Sequence, residues 1–211
     1  MARWEPDSRG RLAQAALELY AERGFERTTV AEIAARAGVT ERTFFRHFAD
    51  KREVLFSGSE EIEQALADGV AQAPAGAAPL DAVAAALTAI GTVLQSRRPF
   101  ARTRQQVIAA TPELQERELR KLARLGALLG AGLRERGVAE PDATVAAETG
   151  IALFRVAFER WSEQHAGAEP ELTDEIATAF ARLRVVAATP ADGSPADAPP
   201  AAGASAIRRR R

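Results

Sequence analysis

Nine side chains between Thr28 and Lys51 have the types and spacing needed to grip a polyanion and read it. Thr28, Thr29 and Thr40 stand near expected helix N-termini, where hydroxyls and backbone N–H groups bind phosphate. Arg42, Phe45 and Arg46 follow at i, i+3 and i+4, so a short helix presents them on one face. Arg42 and Thr43 point toward bases or phosphates. Arg46 is placed to reach a guanine edge, and Phe45 to pack on a thymine methyl or a sugar. His47 is a phosphate or base contact in one reading and a structural residue in the other, and is taken as a contact. Lys51 opens the next expected helix, where it is placed to hold the nucleic-acid backbone. Phosphate contacts fix position and base contacts fix sequence.

Other chemistries are excluded by composition. The chain has no cysteine, which removes disulfides, thiol catalysis and cysteine-based zinc sites. His47 and His165 are the only imidazoles, so no histidine-rich metal site is expected. His165 is read as a surface residue. No nucleophile has a paired base. Residues 126–132, GALLGAG, lack the lysine of a phosphate-binding loop. The expectation is therefore a non-enzyme with no metal and no cofactor. No apolar run reaches the roughly 18 residues of a membrane span, and the N-terminus has no signal-peptide pattern. A cytoplasmic protein with no membrane partner is expected. The net charge of −1 does not announce a nucleic-acid binder, but such binding needs locally placed charge rather than a global excess.

The elements that must position the nine residues are legible in pattern. Leu12, Ala15, Ala16, Leu19 and Tyr20 mark an amphipathic helix that Gly24 ends. Thr29 and Glu32 form a capping box for a second helix, stopped by Gly38. Thr40 caps a third, with Phe44 and Phe48 facing inward. Two short helices around a Gly38-Val39-Thr40 turn predict a helix-turn-helix. Asp50 and Glu53 form another box and predict a fourth helix starting there. Further helices are expected from Asp81, over 101–110 after an interruption at Pro99, from Pro112, from Pro141-Asp142, and after a break at 167–170.

The segment 28–55, with Phe25 ahead of it, resembles the DNA-binding domain of the TetR family of transcriptional regulators. The resemblance is carried by Phe25, Thr28-Thr29, Val30, Ile33-Ala34, Ala37-Gly38-Val39, Phe44-Phe45, His47-Phe48 and Lys51. The family usually has tyrosine at Phe45, so a hydroxyl that would bind phosphate is missing. The resemblance is specific over residues 8 to 56. It implies nine or so helices, three of which read DNA and the last two of which form a dimer interface.

The fold expected is all-α. A three-helix helix-turn-helix domain covers 1–50, a helical ligand-binding and dimerisation domain covers 51–189, and a disordered tail covers 190–211, ending in Arg208 to Arg211. Phe100, Arg104, Phe154 and Phe158 are expected to line an effector pocket; an aromatic stripe at helical spacing also suits plain core. The cluster Arg97, Arg98, Arg102 and Arg104 is either a solvated face or a site for an anionic ligand. Ala147, Ile151, Trp161, Ile176, Phe180 and Leu183 are expected at a dimer seam, with internal packing as the rival reading. The partners expected are a double-stranded DNA operator, a small-molecule effector and a second copy of the chain. The function expected is a ligand-released repressor on a palindromic operator.

Overall fold

The computed structural model describes residues 7–163 and 170–188. Among them the chain forms nine α-helices and one 3-10 turn, in the order α1 Ser8–Arg23, α2 Val30–Arg36, α3 Glu41–His47, the turn Glu53–Phe56, α4 Ser59–Gln72, α5 Pro79–Gln95, α6 Arg98–Ala109, α7 Pro112–Glu135, α8 Asp142–Ser162 and α9 Leu172–Ala188. His165, most of the expected break at 167–170 and the expected tail 190–211 lie outside the described residues.

Local signals account for the first three helices. The Thr29 hydroxyl accepts from Glu32 N–H while the Glu32 carboxylate accepts from Thr29 N–H, so two orphan helix donors are satisfied at once. Thr40 caps α3 through the N–H of Thr43. Gly24 ends α1 at φ 86°, a conformation costly for residues with a Cβ.

The expected fourth helix does not start at Asp50. Asp50 Oδ1 accepts from the N–H groups of Arg52 and Glu53, but the helix it opens lasts a single 3-10 turn. Gly58 then sits at φ 83° and α4 restarts at Ser59. A hinge of irregular backbone therefore joins the first three helices to the rest. The interruption expected at Pro99 falls just before it, between α5 and α6 at Ser96 and Arg97. Pro99 itself lies in the first turn of α6, where its missing N–H costs no hydrogen bond.

Two hydrophobic cores organise the chain. The first gathers Leu12, Leu19, Tyr20, Ile33, Phe44, Phe48, Val54 and Leu55, together with Val107 and Ile108 from α6 and Leu114 from α7. The second is built by α4, α5, α7, α8 and α9 around Leu66, Leu87, Ile90, Leu129, Trp161 and Ile176. Each fully buried leucine or isoleucine stabilises by about 1.5–3 kcal/mol relative to exposure. The first core is not self-contained, because α6 and α7 complete it.

Helices α5 and α8 approach closely at Gly150. A Cβ there would lie 2.2 Å from Val83 Cγ1 of α5. Ala147, Ile151, Trp161, Ile176 and Phe180, expected at a dimer seam, are buried within the chain, and Leu183 is half-buried. Trp161 has no exposed surface, and its Nε1 donates to Gln95 Oε1 at 3.1 Å. The open apolar positions on the same two helices are Val145 and Val156 of α8 and Val185 and Val186 of α9. No single helix among the described residues is long and apolar enough to cross a membrane.

Candidate nucleic-acid interface and adjoining cavity

Helix α3 is docked by Phe44 and Phe48, both buried, whose rings lie 5.5 Å apart. That anchoring turns Arg42, Phe45 and Arg46 outward, all exposed. Phe45 is 56% exposed, and its ring makes a T-shaped contact with that of Phe44. Elsewhere in the first three helices guanidiniums meet carboxylates: Arg23 pairs with Glu32, and Arg36 with Glu18 and Glu22. Arg52 closes on Asp50 at 2.7 Å. Burial alone would raise the Asp50 carboxyl, but hydrogen bonds from Arg52 and from the N–H groups of Glu53 and Arg52 hold it below its usual range. Arg42 and Arg46 have no carboxylate partner among the described residues. The only hydrogen-bond neighbour of Arg46 there is the His47 ring, at 3.5 Å. Two guanidiniums without a carboxylate partner, beside an exposed aromatic ring, make this face of α3 positive. Thr29 and Thr40 are exposed, and Thr43 is half-buried with its hydroxyl 3.1 Å from that of Thr40. His47 is half-buried, its Nε2 lying 2.8 Å from Ser8 Oγ on α1.

Thr28 and Lys51 are not on that face. The Thr28 side chain is buried and donates to Gly24 O at 2.9 Å. The Lys51 ammonium donates to Phe25 O, Thr28 O and Glu26 O at 2.8, 3.1 and 3.3 Å and sits 4.3 Å from the Phe25 ring centroid. The Tyr20 hydroxyl donates to Lys51 O at 2.6 Å, and burial, aided by the Asp50 charge, pushes its phenol well above the ordinary value. Together these residues tie the end of α1, the start of α2 and the loop after α3.

Behind the hinge lies a cavity of about 450 Å³ between the 3-10 turn and α4, α5, α6, α7 and α8. Phe100, Arg104, Phe154 and Phe158 all line it. Arg104 is buried. Its Nε donates to Leu55 O at 2.7 Å, and its Nη2 reaches Glu118 at 2.5 Å. Burial would raise the Glu118 carboxyl, but Arg104 and Lys121 hold it low. Arg104 and Arg117 flank the Phe56 ring at 5.0 and 4.9 Å, and Arg117 pairs with Glu53. Arg97 pairs with Glu61, and Arg98 donates to Trp161 O and Glu163 O. Arg97, Arg98 and Arg104 are thus bonded within the chain, and Arg102 also has an interaction of its own. Lys121 lines the same cavity and was missed from sequence, although it stands three residues after Glu118 on one helix face.

Residues 12–57 match the model of bacterial regulatory proteins of the tetR family, and residues 77–188 match the MftR C-terminal domain. The chain belongs to the TetR family. TcmR of Streptomyces glaucescens, an HTH-type transcriptional regulator, is 42% identical over 83 residues, covering 39% of this chain and 37% of that protein. MftR of Mycobacterium tuberculosis, named for a candidate role in regulating mycofactocin biosynthesis, is 36% identical over 107 residues, 49% of this chain and 52% of its own. The chain thus spans about half the length, or less, of these curated relatives. The crystal structure of the TetR-family repressor FadR of Thermus thermophilus, in complex with lauroyl-CoA, superposes with a TM-score of 0.52 at 26% identity, covering 88% of this chain and 100% of that one. The family is one of bacterial regulatory proteins, and both matched segments are all-α among the described residues.

Proposed function

We propose that this TetR-family regulator is a cytoplasmic homodimeric repressor, held on a palindromic operator and released by a small-molecule effector. The observation that carries the reading is the Arg104–Leu55 hydrogen bond of 2.7 Å, which joins the cavity wall to the core of the DNA-reading head. A ligand that displaces Arg104 or α6 must disturb the hinge, because Val107 and Ile108 of α6 are also part of that core. The cavity volume falls in the range of roughly 300–1,000 Å³ usual for small-molecule sites. That the Thermus thermophilus relative was solved in complex with lauroyl-CoA supports ligand sensing. A two-fold dimer sets two α3 helices about 34–36 Å apart, one DNA turn, and so reads a palindrome. The effector shifts the balance only if it binds the released arrangement better.

The DNA contacts proposed are Thr29, Thr40, Arg42, Thr43, Phe45, Arg46 and His47. Selection from random duplexes, followed by gel shift of the full chain, tests the reading. Enrichment of a palindrome is expected. Arg46→Ala should cost roughly 1–3 kcal/mol and relax preference at one base pair of each half-site. Failure to bind any sequence selectively at moderate salt would overturn the proposal. A reporter gene behind the selected site decides repression, with expression rising when the chain is deleted.

A further inference from the structure

The cavity contains a cation that the fold leaves without a hydrogen-bonded anion. Its lining carries four basic side chains, Arg97, Arg104, Lys121 and Arg155, against two acidic ones, Glu118 and Glu159. Arg97 is paired outside the lining with Glu61 of α4. Arg104 of α6 is held by Glu118 and the Leu55 carbonyl. Arg155 and Glu159 are exposed, one turn apart on α8. Glu63 of α4 is paired with Arg124 at 2.7 Å. Lys121 of α7 differs from these. Its side chain is only 20% exposed, and its Nζ stops 3.9 Å from Glu118 Oε1, beyond hydrogen-bond reach. Both Glu118 oxygens already accept from Arg104. Burial, with repulsion from Arg104, pushes the Lys121 ammonium down to about 8, and Glu118 and Glu63 oppose this only in part. A half-desolvated charge of this kind gains most from a partner that enters the same low-dielectric space.

Taking the ligand-sensing reading above as given, we infer that the effector is an amphiphile with an apolar body and one anionic group, the anion seated on Lys121. Ile62, Leu94, Phe100, Leu125, Phe154 and Phe158 supply the apolar wall. A neutral ligand would bury the ammonium further without compensation, and a cationic one would add repulsion. The arginine cluster around Pro99, suited by residue type to an anion, is already bonded within the chain at Arg97, Arg98 and Arg104.

The test is calorimetric titration of the full chain with decanoate, decanol and decylammonium. At pH 7 decanoate should bind at least tenfold tighter than decanol, and decylammonium weakest. Decanoate affinity should fall as the pH rises past 8, because the free chain then loses the proton that makes Lys121 a cation. Lys121→Met should abolish the preference and Lys121→Arg should restore it. Equal binding of decanol and decanoate, a preference that survives in Lys121→Met, or no binding of any probe would overturn the inference. So would tight decanoyl-CoA binding that is indifferent to Lys121→Met. Operator release is measured separately. Release by decanol as readily as by decanoate sinks the anion inference and leaves ligand sensing standing. Lys121-dependent decanoate binding with unchanged operator affinity does the reverse.

Discussion

Lys51 and Lys121 are the only lysines in the chain, and their surroundings give them different tasks. Lys51 has three carbonyls for its three protons. Charge-assisted hydrogen bonds of this kind contribute about 1.5–3 kcal/mol, so Lys51→Ala should lower the midpoint of thermal unfolding. If the ammonium instead held phosphate, the same variant would melt unchanged and the slope of log affinity against log salt would fall by about one. Lys121 has the opposite balance. Its pKa falls from 10.5 to about 8 on folding, so the charged form destabilises the native state. The penalty is complete below pH 8, shrinks as the pH rises from 8 to 10.5, and is absent above that. Each tenfold loss of proton affinity corresponds to about 1.4 kcal/mol, and solvent screening reduces the total. Lys121→Met should therefore stabilise the chain by roughly 1–3 kcal/mol at pH 7. Melting curves at pH 7 and pH 10.5 check this, and an equal gain at both would show that packing rather than charge is responsible.

The elements divide into those set by local chemistry and those set by packing. Helices α2 and α3 have seven residues each, too few to persist alone, so their caps and the inward Phe44 and Phe48 hold them. The 3-10 turn that follows is fixed from outside. Arg104 takes its Leu55 carbonyl, and Arg104 and Arg117 enclose Phe56. Helices α5 and α8 meet at Gly150, where a Cβ would lie 2.2 Å from Val83 Cγ1. Gly150→Ala should force the two helices apart and cost about 1–3 kcal/mol, read as a lower unfolding midpoint. An unchanged midpoint would mean that Val83 can rotate away at little cost.

The whole molecule is two cores joined through α6. That helix lines the cavity along its length with Phe100, Ala101, Arg104 and Ile108, and it packs Phe100, Val107 and Ile108 against the core of the first three helices. Helix α6 is thus shared by the cavity wall and the core of the first three helices. The outer faces of α8 and α9 leave Val145, Val156, Val185 and Val186 exposed, and apolar area of this kind suits a second copy. Val156→Asp should convert the proposed dimer to monomer in sedimentation and weaken palindrome binding far more than half-site binding. A dimer that persists unaltered would move the interface elsewhere.

Much of the head was readable in the chain itself. Caps, glycine stops and apolar spacing act over three or four residues, so Thr29, Glu32, Gly38 and Thr40 declare the helix-turn-helix, and the spacing of Arg42, Phe45 and Arg46 declares its outward face. Phe100, Arg104, Phe154 and Phe158, singled out by type and spacing, line one cavity. Which polar groups were already satisfied was not legible. Lys51 bonds to carbonyls 23 to 26 residues away and Arg104 to one 49 residues away, and no local pattern encodes such partners. The same holds for Trp161 and its neighbours: periodicity marks an apolar face on α8, but only the packing of α5 and α9 against it decides that the face is core and that the valines on the far side remain open. Side-chain type is a local property. Whether a charge is neutralised or a face is covered depends on segments distant in sequence, and only the tertiary structure brings those together.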